Sequence, residues 1–519
     1  MPEIEAIQTI RLFLGTGRPI LCTDEMRNTM ASRALPAPQR WEIRMSTQHA
    51  NEARPTVEQI AAFVSRERAA DLDSEIRRII KRNVLDSLGC AISALPGPPF
   101  KVLREQFAEY RSAGTSTLIG GGTTSPDQAA LFNSGLVRYV DLLDSYMSPG
   151  GLCHPSDNFG AVLAAAEHVD ANGEQFLLAL AIAYEVQCRI TAVVPVMAKG
   201  FNHAIQLAIS VAAAAGKLFG LTEGQIADAI SIATVDNISL SCLHSEPVSQ
   251  WKGFSPGITG MRALYVTSLA KRGFTGPSQI FEGPNGLERM FNQAIPVDWE
   301  DPSLAVVKQT ILKKFCCLIH GQPVLEATLD LKRKYRLAPG DIDRVTCDIF
   351  QSGYDIAGGG TFGSKDTPQT KEQADYNLKY LIAAALLDGR VGPAQLEPQR
   401  IQAADAQALL ARVTVRPDDT FSARYPQELG TRITIHTRDG RKLVQEKLGY
   451  EGSLANPMSW DRVVEKFHWL SEAHADGELR ERIIRVVQEL DSRPLSDLME
   501  LLAAVKRMTT YPTNHPGIQ

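Results

Sequence analysis

Five stretches of the chain set ionisable or hydroxyl side chains beside glycine, proline or the start of a helix. "YVDLLDSY" (139–146) carries Asp141, Asp144 and Ser145, and "GLCHPSDNFGAVLAAAEH" (151–168) carries His154. "KGFNHAIQL" (199–207) carries His203, "QWKGFSPGITGMRA" (250–263) Lys252, and "ILKKFCCLIHGQP" (311–323) Lys313, Lys314 and His320. Histidines exchange protons near neutral pH, lysines hold anions, and carboxylates orient both, so this set suits acid–base chemistry on a negatively charged small molecule. His154 stands before a run in which Phe159, Val162, Leu163 and Ala166 recur at helical spacing. That places it at the positive end of a helix, where unpaired N–H groups favour an anion.

Each group also has an ordinary reading in isolation. Pro155 stiffens a turn capped by Ser156 or Asp157, Asp144 ends a helix in solvent, His203 is a capped core histidine, and Lys252 and Lys313 are surface cations. What separates them from that background is their company. Two histidines and a lysine near helix starts within an otherwise apolar bundle each cost free energy unless partnered.

The elements that must position them are mostly helical from about residue 55. Thr56 with Gln59, Ser125 with Gln128 and Thr222 with Gln225 fit the reciprocal cap at a helix start. "FLLALAIAYEV" (176–186) and "QLAISVAAAAGKLFG" (206–220) are apolar on nearly every face, so other helices must bury them. After about residue 305 the texture changes. "RVTCDIF" (344–350), "ARVTVR" (411–416) and "TRITIHTRDGRKLVQEKL" (431–448) alternate as half-buried strands do, with Asp439-Gly440 as a hairpin turn. "PQTKEQADYNLKYLIAAALLDG" (368–389) reads as one helix stopped by Gly389, and helical patterns return after about residue 455, as in "ELRERIIRVVQELD" (478–491). The expected fold is mainly α: a large discontinuous all-helical domain (51–305, with a C-terminal return over 456–519) plus a smaller α+β lid domain (306–455). Residues 1–50 form an N-terminal extension, or translation begins at Met45.

Composition bounds the partners. The 519 residues exceed one ordinary core, and Lys plus Arg total 54 against 59 Asp plus Glu, with no basic stripe for nucleic acid or an anionic membrane. A small-molecule partner is expected. No apolar run is expected to span a bilayer, no secretory signal is evident, and the acids in 1–50 argue against a transit peptide, so the expected address is cytoplasmic. The eight cysteines are scattered without a C-x-x-C pair, as reduced thiols would be. The chemistry is expected to need no metal and no other cofactor. "IGGG" (120–123) lacks nucleotide-loop spacing and reads as a turn.

From about residue 55 to about 480 the chain resembles the MmgE/PrpD family of 2-methylcitrate dehydratases, cis-aconitate decarboxylases and an iminodisuccinate epimerase. Collinear blocks carry the resemblance, among them "VLDSLGC" (84–90), "HPSDNFGAVLAAAEH", "WKGFSPGITGMRA", "LKKFCCLIHGQPVLEA" and "QADYNLKYLIAAALLDG". The "HPSDN" form and the last block are most similar to the dehydratase branch. The resemblance implies a helical domain closed by an α+β lid, a homodimer, no iron–sulfur cluster or metal, and a site between the domains. It implies catalytic roles for Asp141, His154, His203 and Tyr380, and substrate binding by Ser145, Lys252, Lys313 and His320. Lys252 and Lys313 would hold carboxylates, the histidines would exchange protons, Asp141 would orient one of them, and Tyr380 would close the site. The implied reaction is dehydration of a 2-hydroxy tricarboxylate, foremost 2-methylcitrate to 2-methylaconitate in propionate catabolism. Decarboxylation or epimerisation of a related acid, or a non-enzymatic helical scaffold, are the alternatives.

Overall fold

Residues 54–508, 511 and 517–518 are described by a computed structural model, and the extension with Met45 lies outside them. The chain is mainly helical. Of the three expected caps, Thr222 forms the reciprocal pair: its Oγ1 accepts from Gln225 N at 3.3 Å, and Gln225 Oε1 accepts from Thr222 N at 3.1 Å. The other two do not form, because a proline already starts each helix. Thr56 follows Pro55 as the first residue of the helix Thr56–Arg66, and Ser125 precedes Pro126 with its side chain unused. Gln59 and Gln128 turn instead to the Arg54 carbonyl and to Thr124 Oγ1.

The apolar helices Gly173–Val193 and Ala204–Leu218 pack against each other, as their lack of a polar face requires. Against the expectation above, Gly173–Val193 is long and apolar enough to cross a membrane, but 83% of its most apolar window is buried inside the protein. Pro126–Tyr139 is sandwiched between Phe159–His168 and Ser255–Ala270. A Cβ at Gly160 would fall 2.1 Å from the Ser134 backbone nitrogen, so only glycine permits that approach. The helix Trp460–Ser471 returns to pack on Ser74–Ser93, where Lys466 Nζ donates to Asp86 Oδ1 at 2.6 Å.

Three small sheets interrupt the helices. β1 (Ser116–Thr117) and β2 (Thr123–Thr124) pair across the "IGGG" turn, whose three glycines take positive φ. β3 (Ser145–Ser148), β4 (Gly151–Cys153) and β5 (Thr310–Ile311) form an antiparallel sheet in the order β4-β3-β5. β6 (Ile342–Ile349), β7 (Val413–Pro417), β8 (Thr431–Thr437) and β9 (Lys442–Lys447) form the third, in the order β7-β6-β8-β9 with β6 and β7 parallel. Gly440, at φ +90°, turns β8 into β9. The alternation read from the sequence is met: Val345, Cys347, Ile349, Ile433 and Ile435 are buried, and the helix Gln322–Tyr335 covers β8 and β9.

The expected helix over 368–389 is two helices. Lys371–Ala374 stops, the chain turns over Asp375 and Tyr376 to an extended Asn377, and Leu378–Asp388 begins under a new cap in which Asn377 Oδ1 accepts from Tyr380 N at 3.0 Å. Gly389, in the left-handed conformation, ends the second. The interruption supplies the site with two side chains.

Candidate active site

The sheet β4-β3-β5 gathers the site. The helix Pro126–Tyr139 ends just before Asp141, whose φ of +50° turns the chain into β3; Asp tolerates this left-handed geometry better than most residues. β3 pairs with β5, Ser145 opposite Ile311, which brings Lys313 back to Asp141. β3 also folds over a Ser148–Gly151 turn onto β4, Tyr146 opposite Cys153, which returns His154 to Ser145. Residues far apart in sequence thus share one wall.

Asp141 is almost fully buried and faces three cations. Lys313 Nζ donates to its Oδ1 at 2.7 Å, Lys252 Nζ lies 3.8 Å from Oδ2, and Arg138 Nη1 lies 3.6 Å from Oδ1. Burial pushes its carboxyl up, but Lys313, Lys252 and Arg138 outweigh that and hold it well below the usual carboxylate range. Lys252 also donates to Asp375 Oδ1 at 2.5 Å, and Lys371 to Asp375 Oδ2 at 2.8 Å. Asp141 therefore orients lysines and makes no hydrogen bond to a histidine, which corrects the role expected for it.

The histidines have other partners. His154 Nδ1 lies 2.7 Å from the Asp144 carbonyl and 3.0 Å from Ser145 Oγ. A carbonyl only accepts, so Nδ1 carries the proton and, in the neutral ring, Nε2 carries the lone pair. Burial pushes His154 well below the usual histidine range, helped by Arg138 and Lys313, so neutral it stays. His203 Nε2 donates to Asp157 Oδ2 at 3.1 Å. Burial lowers its pKa too, while Asp157 pulls the other way. Asp144 accepts from Ser156 N and Oγ and from Tyr184 Oη, and burial pushes its carboxyl up to about 6.

A cavity of about 690 Å³ opens over this arrangement. His154, His203, His244, His320 and Tyr376 line it, together with side chains from 148–152, 194–198, 350–362 and 422–426. Asp141, Ser145, Lys252 and Lys313 stand behind its surface. Tyr380 is elsewhere: fully buried, it donates from its hydroxyl to the Gln395 carbonyl and is not part of the wall. Tyr376, from the break between the two helices, takes the place expected of it. Its ring lies 3.7 Å from Lys252 Nζ and stacks on His244 at 7° and 5.3 Å.

Sequence reasoning passed over Arg138, Asp157, His244, Asp375 and Tyr376. Asp157 lay in the quoted "HPSDN", and the Asn377 cap was the signal for the break that frees Asp375 and Tyr376. His244 had no signal in its own neighbourhood. Its Nε2 accepts from Asn202 Nδ2 at 3.0 Å; Asn202 Oδ1 accepts from Ala204 N, which fixes that amide's orientation. The His244 Nδ1–H is buried without a partner. Among the described residues, no group of three or more His, Cys, Asp or Glu side chains is arranged to hold a metal ion.

Fold and site together define a mainly helical protein with a histidine-lined cavity backed by lysines and carboxylates. The model of the MmgE/PrpD N-terminal domain matches residues 58–300 and that of the C-terminal domain residues 315–492. The chain belongs to the MmgE/PrpD family. It is 25% identical over 448 residues to a 2-methylcitrate dehydratase of Salmonella typhi, covering 80% of this chain and 91% of the relative. A 2-methylcitrate dehydratase of Cupriavidus necator is 24% identical over 494 residues, covering 88% and 100%. The cis-aconitate decarboxylase-like protein oryM of Aspergillus oryzae is 25% identical over 484 residues, covering 86% and 96%.

Proposed function

We propose that this protein is a 2-methylcitrate dehydratase-like lyase that removes water from a 2-hydroxy tricarboxylate, with 2-methylcitrate to 2-methylaconitate as the reference reaction. The observation that carries the reading is the complementary wiring of two adjacent histidines. His154, its Nδ1–H fixed by a carbonyl, offers Nε2 as a base. His203, its Nε2–H held by Asp157, becomes on protonation an imidazolium stabilised by a carboxylate and able to donate from Nδ1. Dehydration needs both: Nε2 of His154 takes the C–H proton beside a carboxylate, the electron pair forms the double bond, and the hydroxyl leaves as water with a proton from His203. The substrate's negative charges raise the pKa of His203, which burial lowers in the free protein.

The carboxylates are held by the unpartnered Nδ1–H of His244 and by His320, with the buried cations Arg138, Lys252, Lys313 and Lys371 behind the wall. The names of the relatives support this chemistry. We further propose a cytoplasmic homodimer. The described cysteines are all free, as in a reducing compartment. Ile238, Trp251, Tyr265 and Phe274 expose large apolar side chains that a second copy would cover, which sedimentation would show as a single dimeric species.

The test is to incubate the purified protein, with and without chelator, with 2-methylcitrate, citrate or cis-aconitate and follow the products by NMR. Chelator-resistant formation of 2-methylaconitate is expected. Itaconate from cis-aconitate would make the protein a decarboxylase, and inertness toward all three would overturn the reading.

A further inference from the structure

We infer that this protein carries a second binding site, separate from the histidine-lined cavity, for a small dianion built on a compact apolar body. Another cavity, of about 390 Å³ and so within the size range of small-molecule sites, opens where the helices Gln322–Tyr335 and Leu378–Asp388 end beside Trp460–Ser471. It shares no lining residue with the first. The inference goes beyond the dehydratase reading and is decided by binding alone, so either can fail without the other.

Two adjacent lysines show how the sites part. Lys313 Nζ turns to Asp141 behind the histidines, whereas Lys314 Nζ turns to Glu451 and lines the second cavity. No lysine or arginine lines the first cavity. Lys314, Lys332, Arg333, Arg336 and Arg390 line the second, with Glu326 as its one carboxylate. A concave wall of one sign concentrates ions of the other.

The acids nearby are shared among several cations. Glu451 accepts from Lys314 at 2.7 Å and from Arg462 at 2.7 and 3.0 Å, and Asp330 meets both Arg333 at 2.7 Å and Lys447 at 2.8 Å. Lys447 also engages Glu326, at 2.9 Å. Lys332 makes no ion pair: its Nζ donates to the carbonyls of Leu386 and Leu337 at 2.5 and 3.3 Å, and burial holds it below the usual lysine range. Those carbonyl ends of helices account for Lys332 and repel an anion, so the anion is met by Lys314 on the floor and by Arg333 and Arg336 at the exposed rim. Arg336 makes no side-chain hydrogen bond or ion pair among the described residues.

The remaining wall selects what carries the charge. Phe315, Leu329, Leu337 and Val391 are buried in it, and Trp469 is half-buried. A bare ion leaves that surface facing water, whereas a ring covers it and presents its charges to the cations. A phosphate monoester and a dicarboxylic acid both have this chemistry.

The experiment titrates the full chain with phenyl phosphate, benzene-1,3-dicarboxylate and inorganic phosphate, at a pH where both aromatic probes are dianions, and follows tryptophan fluorescence. An aromatic dianion should change the signal and bind more tightly than inorganic phosphate, and raising the salt should weaken it. Whichever of the two binds more tightly assigns the natural ligand to the phosphate esters or to the dicarboxylic acids. Trp469→Phe should remove the signal change, which ties it to this cavity. In an Arg333→Gln, Arg336→Gln double variant, altered only at exposed side chains, the dissociation constant should rise roughly fivefold. Absence of binding by both aromatic probes, a signal change that survives Trp469→Phe, or an unchanged dissociation constant in the double variant would overturn the site. Inorganic phosphate binding as tightly as the aromatic probes would overturn the apolar body.

Discussion

The imidazoles of His154 and His203 meet edge to face, with ring centroids 5.1 Å apart and planes at 76°. Two such groups, both buried, cannot both hold a positive charge, and each lowers the other's affinity for a proton. Their outer nitrogens are tied to different partners, a backbone carbonyl for His154 and a carboxylate for His203. Identical side chains thereby acquire different tasks. The Asp144 carbonyl fixes a tautomer without adding charge, whereas Asp157 favours the charged form.

That asymmetry gives the first prediction. His154→Gln and His203→Gln should each retain the fold and lose roughly 10²- to 10⁴-fold in kcat/KM. In D₂O the two should differ: His154→Gln stops exchange of the substrate C–H, while His203→Gln still exchanges it but releases little water. NMR on the recovered substrate reads the exchange, and on the product the loss of water. Near-normal turnover by both variants would remove the assignment.

Asp141 yields the second. Its carboxylate compensates Lys313, which has no exposed surface, and Lys466 ties the same corner by donating to the carbonyls of Leu142 and Lys313 at 3.0 and 2.8 Å. Removing one partner of a buried ion pair costs about 3–5 kcal/mol, so Asp141→Asn should be strongly destabilised as well as impaired. Asp141→Ala should cost about 1 kcal/mol more, because alanine fits φ +50° less well than asparagine. Urea denaturation of the two variants tests the order; equal stability of both with the parent would contradict it.

Much of this was legible beforehand because it is local. Helices apolar all round, the alternation of β6 and β8, the Asp439-Gly440 turn and the motif histidines announce themselves within a few residues. The site's wiring is not local. Asp141 meets Lys313 only because β3 pairs with β5, a contact that no periodicity encodes. Tyr380 and Tyr376 lie one helical turn apart in a stretch whose apolar pattern runs on without a break, and the Asn377 cap alone decides which ring reaches the cavity.

The tyrosines therefore separate cleanly by experiment. Tyr376→Phe removes the hydroxyl from a ring that lines the cavity beside Lys252 and His244 and should lower kcat/KM at least tenfold with stability nearly kept. Tyr380→Phe leaves the Gln395 carbonyl without its donor and should cost about 1 kcal/mol of stability with kinetics close to the parent's. Steady-state kinetics and thermal melts on both variants decide it, and the reverse pattern would restore Tyr380 to the site.

Acid should destabilise the fold through the same histidines. Burial holds His154 and His244 well below the usual range, lowers His203, and brings His320 to about 4. Below the unfolded value near 6.5 the unfolded chain binds protons that the folded chain refuses, so stability falls as pH falls. From pH 7.5 to 5.5 each histidine kept neutral costs about 1.4 kcal/mol. Asp144 acts with the opposite sign: its folded pKa of about 6 lies above the unfolded value, so it takes up its proton first in the folded state and stabilises it as pH drops, offsetting less than one histidine's share. Asp86 and Glu185, also raised by burial, act in the same sense as Asp144, and the net expectation is a urea midpoint that falls across that interval. His320→Phe should flatten the slope by one histidine's contribution, and a midpoint independent of pH between 7.5 and 5.5 would show that the four rings are not held neutral.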